Sequence, residues 1–316
     1  MSSATLLADI RSRLVVDVDS MDPDVAARHT NIAAKFCDMT SNQAIVYGEA
    51  TRPERAELFK KACDHIRSTN AELDIDTQVS NAIDLLTVLL AKEVYPYLTG
   101  RVHAQASPST AYDTEATINH ARKLISVFEA NGIPKTRVCI KIPATPESVA
   151  LAAHQAGCLY IAPYFNELRV HFVPGVWKEY TDTAKEHPAS PVIASIVKLY
   201  KEIDTKTLVM PASIVTAKEV VALVTLGPDH LTLSGAVLNQ LAAAKGSEVS
   251  LEAEASVGVA VEPEVKSADY LANGGAALKS AIAADAETSR KLEDALKIFG
   301  EQEDKTKDLI RAALMA

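Results

Sequence analysis

A lysine lies inside an apolar stretch of the chain, in the segment Arg-Val-Cys-Ile-Lys-Ile-Pro-Ala-Thr at 137–145. In a strand of period two, Lys141 faces one side while Ile140 and Ile142 face the other. Burial disfavours the ammonium form of a lysine and lowers its pKa. A neutral amine can attack a carbonyl to form a Schiff base, an electron sink for making or breaking a carbon–carbon bond. The alternative is a structural lysine that pairs with a carboxylate or extends to water.

A second candidate group is the acidic end of the first apolar run, Leu-Val-Val-Asp-Val-Asp at 14–19. Period two places Asp17 and Asp19 on the same face of this strand. A carboxylate at the carboxyl end of a first barrel strand is suited to acid–base chemistry. Asp19 can equally cap the helix that is predicted from Pro23.

Polar residues also follow two other predicted strands. Asn42 lies in a polar turn, where it can bind a substrate hydroxyl or close the turn. His103 and Gln105 share one face of the strand at 100–107. An inward-facing histidine is more often a core residue than a ligand, and no second histidine stands at ligand spacing. The sequence therefore predicts no metal site.

These residues need a scaffold in which strands and helices alternate. The hydrophobic pattern predicts seven strands, at 14–19, 36–46, 100–107, 137–145, 158–164, 207–213 and 230–234. It predicts helices at 4–13, 52–69, 78–97, 113–131, 146–155, 175–185, 191–203, 218–225, from 236, at 267–284 and at 287–315, while 256–261 is a strand or an irregular crossing. This alternation predicts right-handed crossovers and a parallel sheet. Because no glycine-rich dinucleotide motif follows the first strand, a (β/α)8 barrel of the TIM type fits best.

Composition limits the class of protein. With 316 residues, of which 48% are hydrophobic, the chain can bury the core of one barrel-sized domain or of two smaller ones. We expect one barrel domain over 1–316, with C-terminal helices from about 267. A net charge of −9 without a dense basic run argues against nucleic acid or an anionic membrane as partner. The four cysteines are far apart and are expected to be reduced. No long apolar run or basic leader stands out, which predicts a cytoplasmic protein.

Five segments in this order give the chain a family resemblance. They are Val-Asp-Val-Asp-Ser-Met-Asp at 16–22, Asp-Met-Thr-Ser-Asn at 38–42, Tyr-Asp-Thr-Glu-Ala at 112–116, Ile-Lys-Ile-Pro-Ala-Thr at 140–145 and Val-Met-Pro-Ala-Ser at 209–213. With them the chain resembles the transaldolases, the Schiff-base enzymes of the pentose phosphate pathway, over nearly its whole length. The resemblance implies transfer of a dihydroxyacetone unit from a ketose phosphate to an aldose, with no cofactor or metal.

The resemblance also implies roles for individual residues. Lys141 matches the Schiff-base lysine, and Asp19 matches the aspartate that acts as acid and base on the sugar hydroxyl. Asn42 matches an asparagine that hydrogen-bonds the ketose, and Ser213 matches a serine near its phosphate. The expected partner is a sugar or sugar phosphate, and a homodimer is a possible assembly.

Two residues depart from the pattern of most transaldolases. Gln105 stands where most have a glutamate that relays a proton, and an amide cannot act as an acid or base near neutral pH. Tyr164 stands where phenylalanine is typical. The fructose 6-phosphate aldolases, a related branch, have glutamine and tyrosine at these two places. Tyr164 is therefore a water-orienting or proton-donating group, or else an ordinary interior aromatic.

Two further departures concern phosphate and strand number. Glu167 and Val215 stand where the family holds phosphate with cationic side chains, and Arg169 is the one nearby replacement. Only 22 positions separate Lys141 from Pro163, so a fifth strand and its helix are expected to be missing. A seven-strand ring should be distorted, opened or filled by a segment such as 256–261.

Three functions remain open from the sequence. The first is a transaldolase that uses Lys141 and Asp19. The second is a Schiff-base lyase that acts on a non-phosphorylated substrate, which Gln105 and Tyr164 favour. The third is a degenerate paralogue that binds a partner or metabolite without catalysis. The loss of the cationic phosphate-binding residues and of the fifth strand with its helix favours it.

Overall fold

The computed structural model describes residues 5–31, 34–143, 147–246, 251 and 262–316. The chain divides into a first unit, Met1–Asp17 with Ala144–Ala295, and a second unit, Val18–Pro143 with Leu296–Ala316. The boundary between the units therefore falls within the first strand. The predicted strand or crossing at 256–261 lies outside the described residues.

Strands and helices alternate along the chain, which confirms the predicted α/β class. The strands in the described residues are β1 (Val15–Val18), β2 (Val102–Gln105), β3 (Val138–Lys141), β4 (Tyr160–Ile161), β5 (Leu208–Val209) and β6 (His230–Leu233). The α-helices there are α1 (Leu6–Arg11), α2 (Pro23–Arg28), α3 (Gln43–Ala50), α4 (Ala56–Thr69), α5 (Ile75–Val94), α6 (Thr114–Ala130), α7 (Glu147–Gln155), α8 (Thr183–Glu186), α9 (Ala189–Glu202), α10 (Ala217–Leu226), α11 (Gly235–Ala243), α12 (Pro263–Ser267), α13 (Ala272–Ala284) and α14 (Ala286–Met315). Within the described part of the chain, no helix combines the length and apolar character needed to span a bilayer.

The second unit carries four neighbouring parallel segments. Val18 bridges Met39, and Met39 also bridges Val102 at the start of β2. β2 pairs in parallel with β3, in a register that places Gln105 opposite Lys141. From one edge to the other, the order is the end of β1, the Met39 segment, β2 and β3, which is their order in the chain.

The first unit carries a second set of strands. β4 and β5 pair in parallel. The Asp229 backbone N donates to the Val209 carbonyl at 3.1 Å and links β6 to β5, while the Val15 backbone N donates to the Asp229 carbonyl at 3.1 Å and links β1 to β6. The order is therefore β4, β5, β6 and β1.

The ends of α6 carry the residues that are typical of helix termini. Asp113 caps α6 by accepting a hydrogen bond from the Ala116 backbone N at 2.9 Å. Gly132, directly after the C-cap of α6, has a φ of 85°, a left-handed conformation that glycine adopts without steric cost. The apolar face of α5 is buried, with Leu86 and Leu90 fully inaccessible. Sequence signals of this local kind were sufficient to locate these helices.

Two predicted elements were wrong. The segment 36–46 is not one strand, because α3 begins at Gln43 and only Phe36 and Met39 make strand-type bridges. The Asn42 side chain caps α3 and so converts the apolar residues after it into the first turn of a helix. The helix predicted at 175–185 is limited to α8, because Gly175 has a φ of 81° and the chain up to the Asp182 cap is irregular.

The short connection after β3 agrees with the sequence. Between Lys141 and Tyr160, the described residues contain the single helix α7 and no strand. A strand with its own helix and two turns does not fit into that span. The predicted absence of one βα unit is therefore consistent with the described chain.

Candidate active site

Lys141 is the last residue of β3, and it is half-buried. Its backbone carbonyl accepts a hydrogen bond from the Ala106 backbone N at 2.9 Å, which fixes the strand end against the residue after β2. Paired residues of parallel strands point to the same face, so the side chains of Lys141 and Gln105 share one side of the sheet. All four residues of β3 are half-buried, less than their apolar sequence predicted, since β2 alone pairs with this strand among the described residues of the second unit.

Asp19 follows β1 on the same face of the sheet. The Thr40 hydroxyl donates to Asp19 Oδ1 at 2.6 Å. Asp22, not Asp19, caps α2, because Asp22 Oδ1 accepts from the Asp24 backbone N at 3.0 Å. Asp17 is fully buried and lies 2.7 Å from His230 Nδ1 within the first unit. The capping alternative for Asp19 is therefore wrong, and its carboxylate instead accepts a hydrogen bond from the Thr40 hydroxyl.

Asn42 is the N-cap of α3. Its Oδ1 accepts from the backbone N of Ala44 at 2.9 Å and of Ile45 at 3.1 Å. The carbonyl half of this amide therefore caps a helix and does not close a turn, while its predicted role in binding a substrate hydroxyl stays a prediction. Because the oxygen is engaged with the backbone, the Nδ2 group is the half that can donate to a ligand.

Gln105 is the last residue of β2, and its side-chain amide is buried. The residue is 6% exposed, and neither its Nε2 nor its Oε1 has a hydrogen-bond partner among the described residues. The neighbouring Gln43 Nε2 donates to the backbone carbonyls of Gln105 at 3.4 Å and Ala106 at 3.3 Å. A buried amide without a partner costs about 1–3 kcal/mol, so such a group marks a place for a ligand or water.

The distance between the two principal groups follows from the order of the segments. Asp19 lies at the end of β1 and Lys141 on β3, three strand steps apart within the second unit. At about 4.8 Å a step, their backbones are on the order of 14 Å apart. Their side chains lie on the same face of this sheet.

A buried ion pair supports the same face, and the sequence analysis did not identify it. His103 Nε2 lies 2.8 Å from Asp38 Oδ2, and Asp38 Oδ1 accepts from the Arg101 backbone N at 2.6 Å. Burial alone lowers the pKa of His103, but Cys139 and the Asp38 carboxylate together raise it to about 9. His103 is therefore a cation at neutral pH, on the face that carries Lys141. The expectation that it is a satisfied core histidine is confirmed.

We expect this pair to make stability depend on pH. The folded pKa of His103 lies above its ordinary value of 6.5, so its contribution is complete below about pH 6.5 and is lost as pH rises to about 9. The loss corresponds to on the order of 3 kcal/mol in the free energy of unfolding. Urea unfolding at pH 6, 7.5 and 9 measures it. In His103→Gln, which keeps a donor for Asp38, the decline should flatten. Parallel declines in both proteins would contradict the assignment.

Tyr164 and Ser213 lie in the first unit. Tyr164 bridges Ala212 after β4 and is half-buried. Ser213 has a φ of 59°, and its Oγ lies 2.8 Å from His171 Nε2. The strained backbone and the histidine contact fix the direction of the Ser213 hydroxyl.

The residues at the expected phosphate place form an ion-pair cluster in the first unit. Glu167 Oε2 accepts from Arg290 Nη2 at 2.7 Å. Arg290 also bonds Glu287 and Asp294, and Arg169 Nη1 lies 4.0 Å from Asp294 Oδ2. Three carboxylates therefore surround two guanidinium groups, and the local charge does not favour an added dianion. The sequence identified Glu167 but not its partner, which lies 123 positions away.

Comparisons with known proteins match most of the chain. A family model described as transaldolase/fructose-6-phosphate aldolase matches residues 16–154 and 148–310. A transaldolase of Alteromonas mediterranea is 27% identical over 338 aligned residues, which cover 98% of this chain and 99% of that protein. Transaldolases of Fusarium oxysporum f. sp. lycopersici and Methylobacillus flagellatus are each 29% identical, and they cover 65% and 68% of this chain and are themselves covered over 69% and 73% of their length.

Proposed function

The chain belongs to the transaldolase/fructose-6-phosphate aldolase family, and on that premise we propose that Lys141 carries a three-carbon ketol unit between two sugars. The activity is of the transaldolase type, the transfer of a dihydroxyacetone unit from a ketose to an aldose. The observation that supports this assignment most strongly is the shared face of the second unit, where Lys141, Asp19 and Gln105 end neighbouring segments.

The first half of the reaction cleaves the donor. The neutral Lys141 Nζ attacks the ketose carbonyl carbon, and loss of water leaves an iminium ion. Asp19 removes the proton from the hydroxyl on the carbon two positions from the iminium carbon. The bond between that carbon and the carbon next to the iminium breaks, and its electrons form the enamine double bond while the iminium π electrons move to nitrogen. The leaving fragment is an aldose, and the three-carbon enamine stays on the lysine.

The second half reverses these steps with another aldehyde. The enamine carbon attacks the carbonyl carbon of the acceptor, and protonated Asp19 returns its proton to the oxygen that becomes a hydroxyl. Water then hydrolyses the iminium and releases the new ketose and the free amine. The Thr40 hydroxyl, 2.6 Å from Asp19 Oδ1, orients the carboxylate for both proton transfers.

The amide and phenol groups have supporting roles in this proposal. Gln105 cannot exchange a proton near neutral pH, but its unpartnered amide can hydrogen-bond a substrate hydroxyl or the hydrolytic water. Asn42 Nδ2 donates to the donor ketose. A water-orienting role for Tyr164 and substrate contacts for Ser213 and Arg169, which lie in the first unit, stay predictions from the sequence.

A second candidate is a lyase that releases free dihydroxyacetone from a donor without phosphate. Gln105 and Tyr164 favour it because they match the aldolase branch. The ion pairs of Glu167 with Arg290 favour it as well, because a guanidinium already held by three carboxylates is a poor phosphate ligand.

The fate of a labelled donor separates transfer from lysis. With fructose labelled in its first three carbons and an excess of unlabelled glyceraldehyde or erythrose, we expect the label to appear in a new ketose. Without acceptor, a transferase should release label only slowly, because the lysine-bound enamine is hydrolysed slowly. Rapid release of labelled dihydroxyacetone without acceptor would establish the lyase in place of the transferase.

The finer features of the scaffold remain proposals. We propose a (β/α)8-type barrel with seven strands. It is supported by the order β1, Met39 segment, β2 and β3 in the second unit and the order β4, β5, β6 and β1 in the first. A single domain over 1–316, the homodimer, the cytoplasmic location and the absence of a nucleic-acid partner stay predictions.

A further inference from the structure

A polar cleft of about 560 Å³ lies within the second unit. Its walls come from the start of α3, from α5 and α6, and from the last turns of α14, and Gln105 and Ser107 line it at the end of β2. Lys141 is the register partner of Gln105, one strand step of about 4.8 Å away on the same face. The Gln105 end of the cleft is therefore one strand step from Lys141, which does not itself line the cleft.

The buried amides of the cleft lack partners. Gln105 is 6% exposed with both amide atoms unpartnered, and Gln43 is 7% exposed with its Oε1 unpartnered, within the described residues. Together these atoms offer two N–H donors and two carbonyl acceptors. A hydroxyl group both donates and accepts, so an alcohol satisfies each of these atoms where a purely anionic group satisfies only the donors.

The charges along the cleft are balanced. Lys123 lies 2.6 Å from Asp84, Arg311 lies 2.6 Å from Asp76, and Lys307 pairs closely with Glu303. The Glu303 carboxylate also accepts from the Ser107 hydroxyl at 2.8 Å. Three cations and three carboxylates leave no net positive charge that would hold a dianionic phosphate, but they offer donors and acceptors to neutral hydroxyls.

We propose that this cleft holds the hydroxylated, phosphate-free tail of the acceptor aldose, whose carbonyl carbon is attacked by the enamine that Lys141 carries. The inference rests on the proposed function and adds its substrate class, a neutral aldose of four or more carbons. Gln105 bonds the hydroxyl next to the reacting carbons, and the ion pairs from α6 and α14 bond the hydroxyls farther along.

The test compares acceptors that differ only in their tails. Glycolaldehyde has almost no tail, erythrose has a neutral tail, and erythrose 4-phosphate has a charged one. Ser80 is a half-exposed residue of α5, and Ser80→Trp fills the cleft. Glu303→Gln combined with Lys307→Met removes one ion pair without changing the net charge. Ser126→Trp, on the exposed face of α6 outside the cleft, is the matched control.

We expect both cleft variants to lower the ratio of kcat/KM for erythrose to that for glycolaldehyde by about tenfold, since one or two hydrogen bonds are lost. The wild-type protein and Ser126→Trp should share one ratio, and erythrose should be used at least as well as its phosphate. Ratios that are equal in all variants, or a strong preference for erythrose 4-phosphate, would overturn the inference.

Borohydride trapping of dihydroxyacetone on wild-type Lys141 is run in parallel. If that trapping fails, the proposed function itself fails; if it succeeds with unchanged ratios, only the cleft assignment is wrong.

Discussion

Replacing Lys141 with methionine should lower kcat for ketose-to-aldose transfer by about 10⁴-fold or more, because it removes the amine that supplies the covalent electron sink. Methionine keeps an unbranched chain of similar length and removes only the amine. The side chain is half-buried at a strand end, so the fold should persist. Transfer from a ketose to an aldehyde acceptor measures the loss, and circular dichroism with thermal unfolding verifies the fold.

The control for this variant is Lys135→Met, in the exposed turn that precedes β3. It removes a lysine from the same part of the chain and should leave kcat within a factor of about two, as expected for a surface substitution away from the reacting groups. Activity that survives in the Lys141 variant would exclude the covalent mechanism. It would favour a chain that binds a metabolite or partner without this chemistry.

Replacing Asp19 with asparagine should lower kcat by about 10²–10⁴-fold, since general acid–base catalysis contributes an effect of that size. The amide oxygen can still accept the Thr40 hydrogen bond, so the site geometry is retained while the proton acceptor is lost. Schiff-base formation should persist, because the amine and the ketose carbonyl are unchanged. Comparing multiple-turnover rates with the yield of borohydride-trapped donor separates the two steps.

Asp24→Asn, on the exposed side of α2, is the control for the aspartate variant. Its turnover should equal that of the wild-type protein. Two results would contradict the role of Asp19. One is an unchanged kcat in Asp19→Asn, and the other is loss of both turnover and trapped donor, which would indicate a structural role in holding the site.

Features that depend on local sequence were predicted well. Period two put Lys141 and Gln105 on defined faces of their strands, and β2 and β3 pair so that these faces coincide. Asp113 and the glycine after α6 marked the two ends of that helix, because capping depends on a few adjacent residues. The wrong strand at 36–46 has the same origin, since Asn42 reads as a turn residue whether it closes a turn or starts a helix.

Features that depend on distant residues were not predicted. The pair of Asp38 with His103 joins residues 65 positions apart, and the pair of Glu167 with Arg290 joins residues 123 positions apart. No local pattern states which cation reaches which carboxylate, because that depends on strand register and on how helices pack. The polar cleft was missed for the same reason, since its lining residues come from five separate stretches of the chain.

The most direct test is to incubate the wild-type protein with dihydroxyacetone or fructose, reduce it with borohydride and map the modified peptide by mass spectrometry. The account predicts one reduced three-carbon unit on Lys141 with dihydroxyacetone, retained in Asp19→Asn and absent in Lys141→Met. A protein that stays unmodified with every ketose tried, or that is modified at a different lysine, would contradict it.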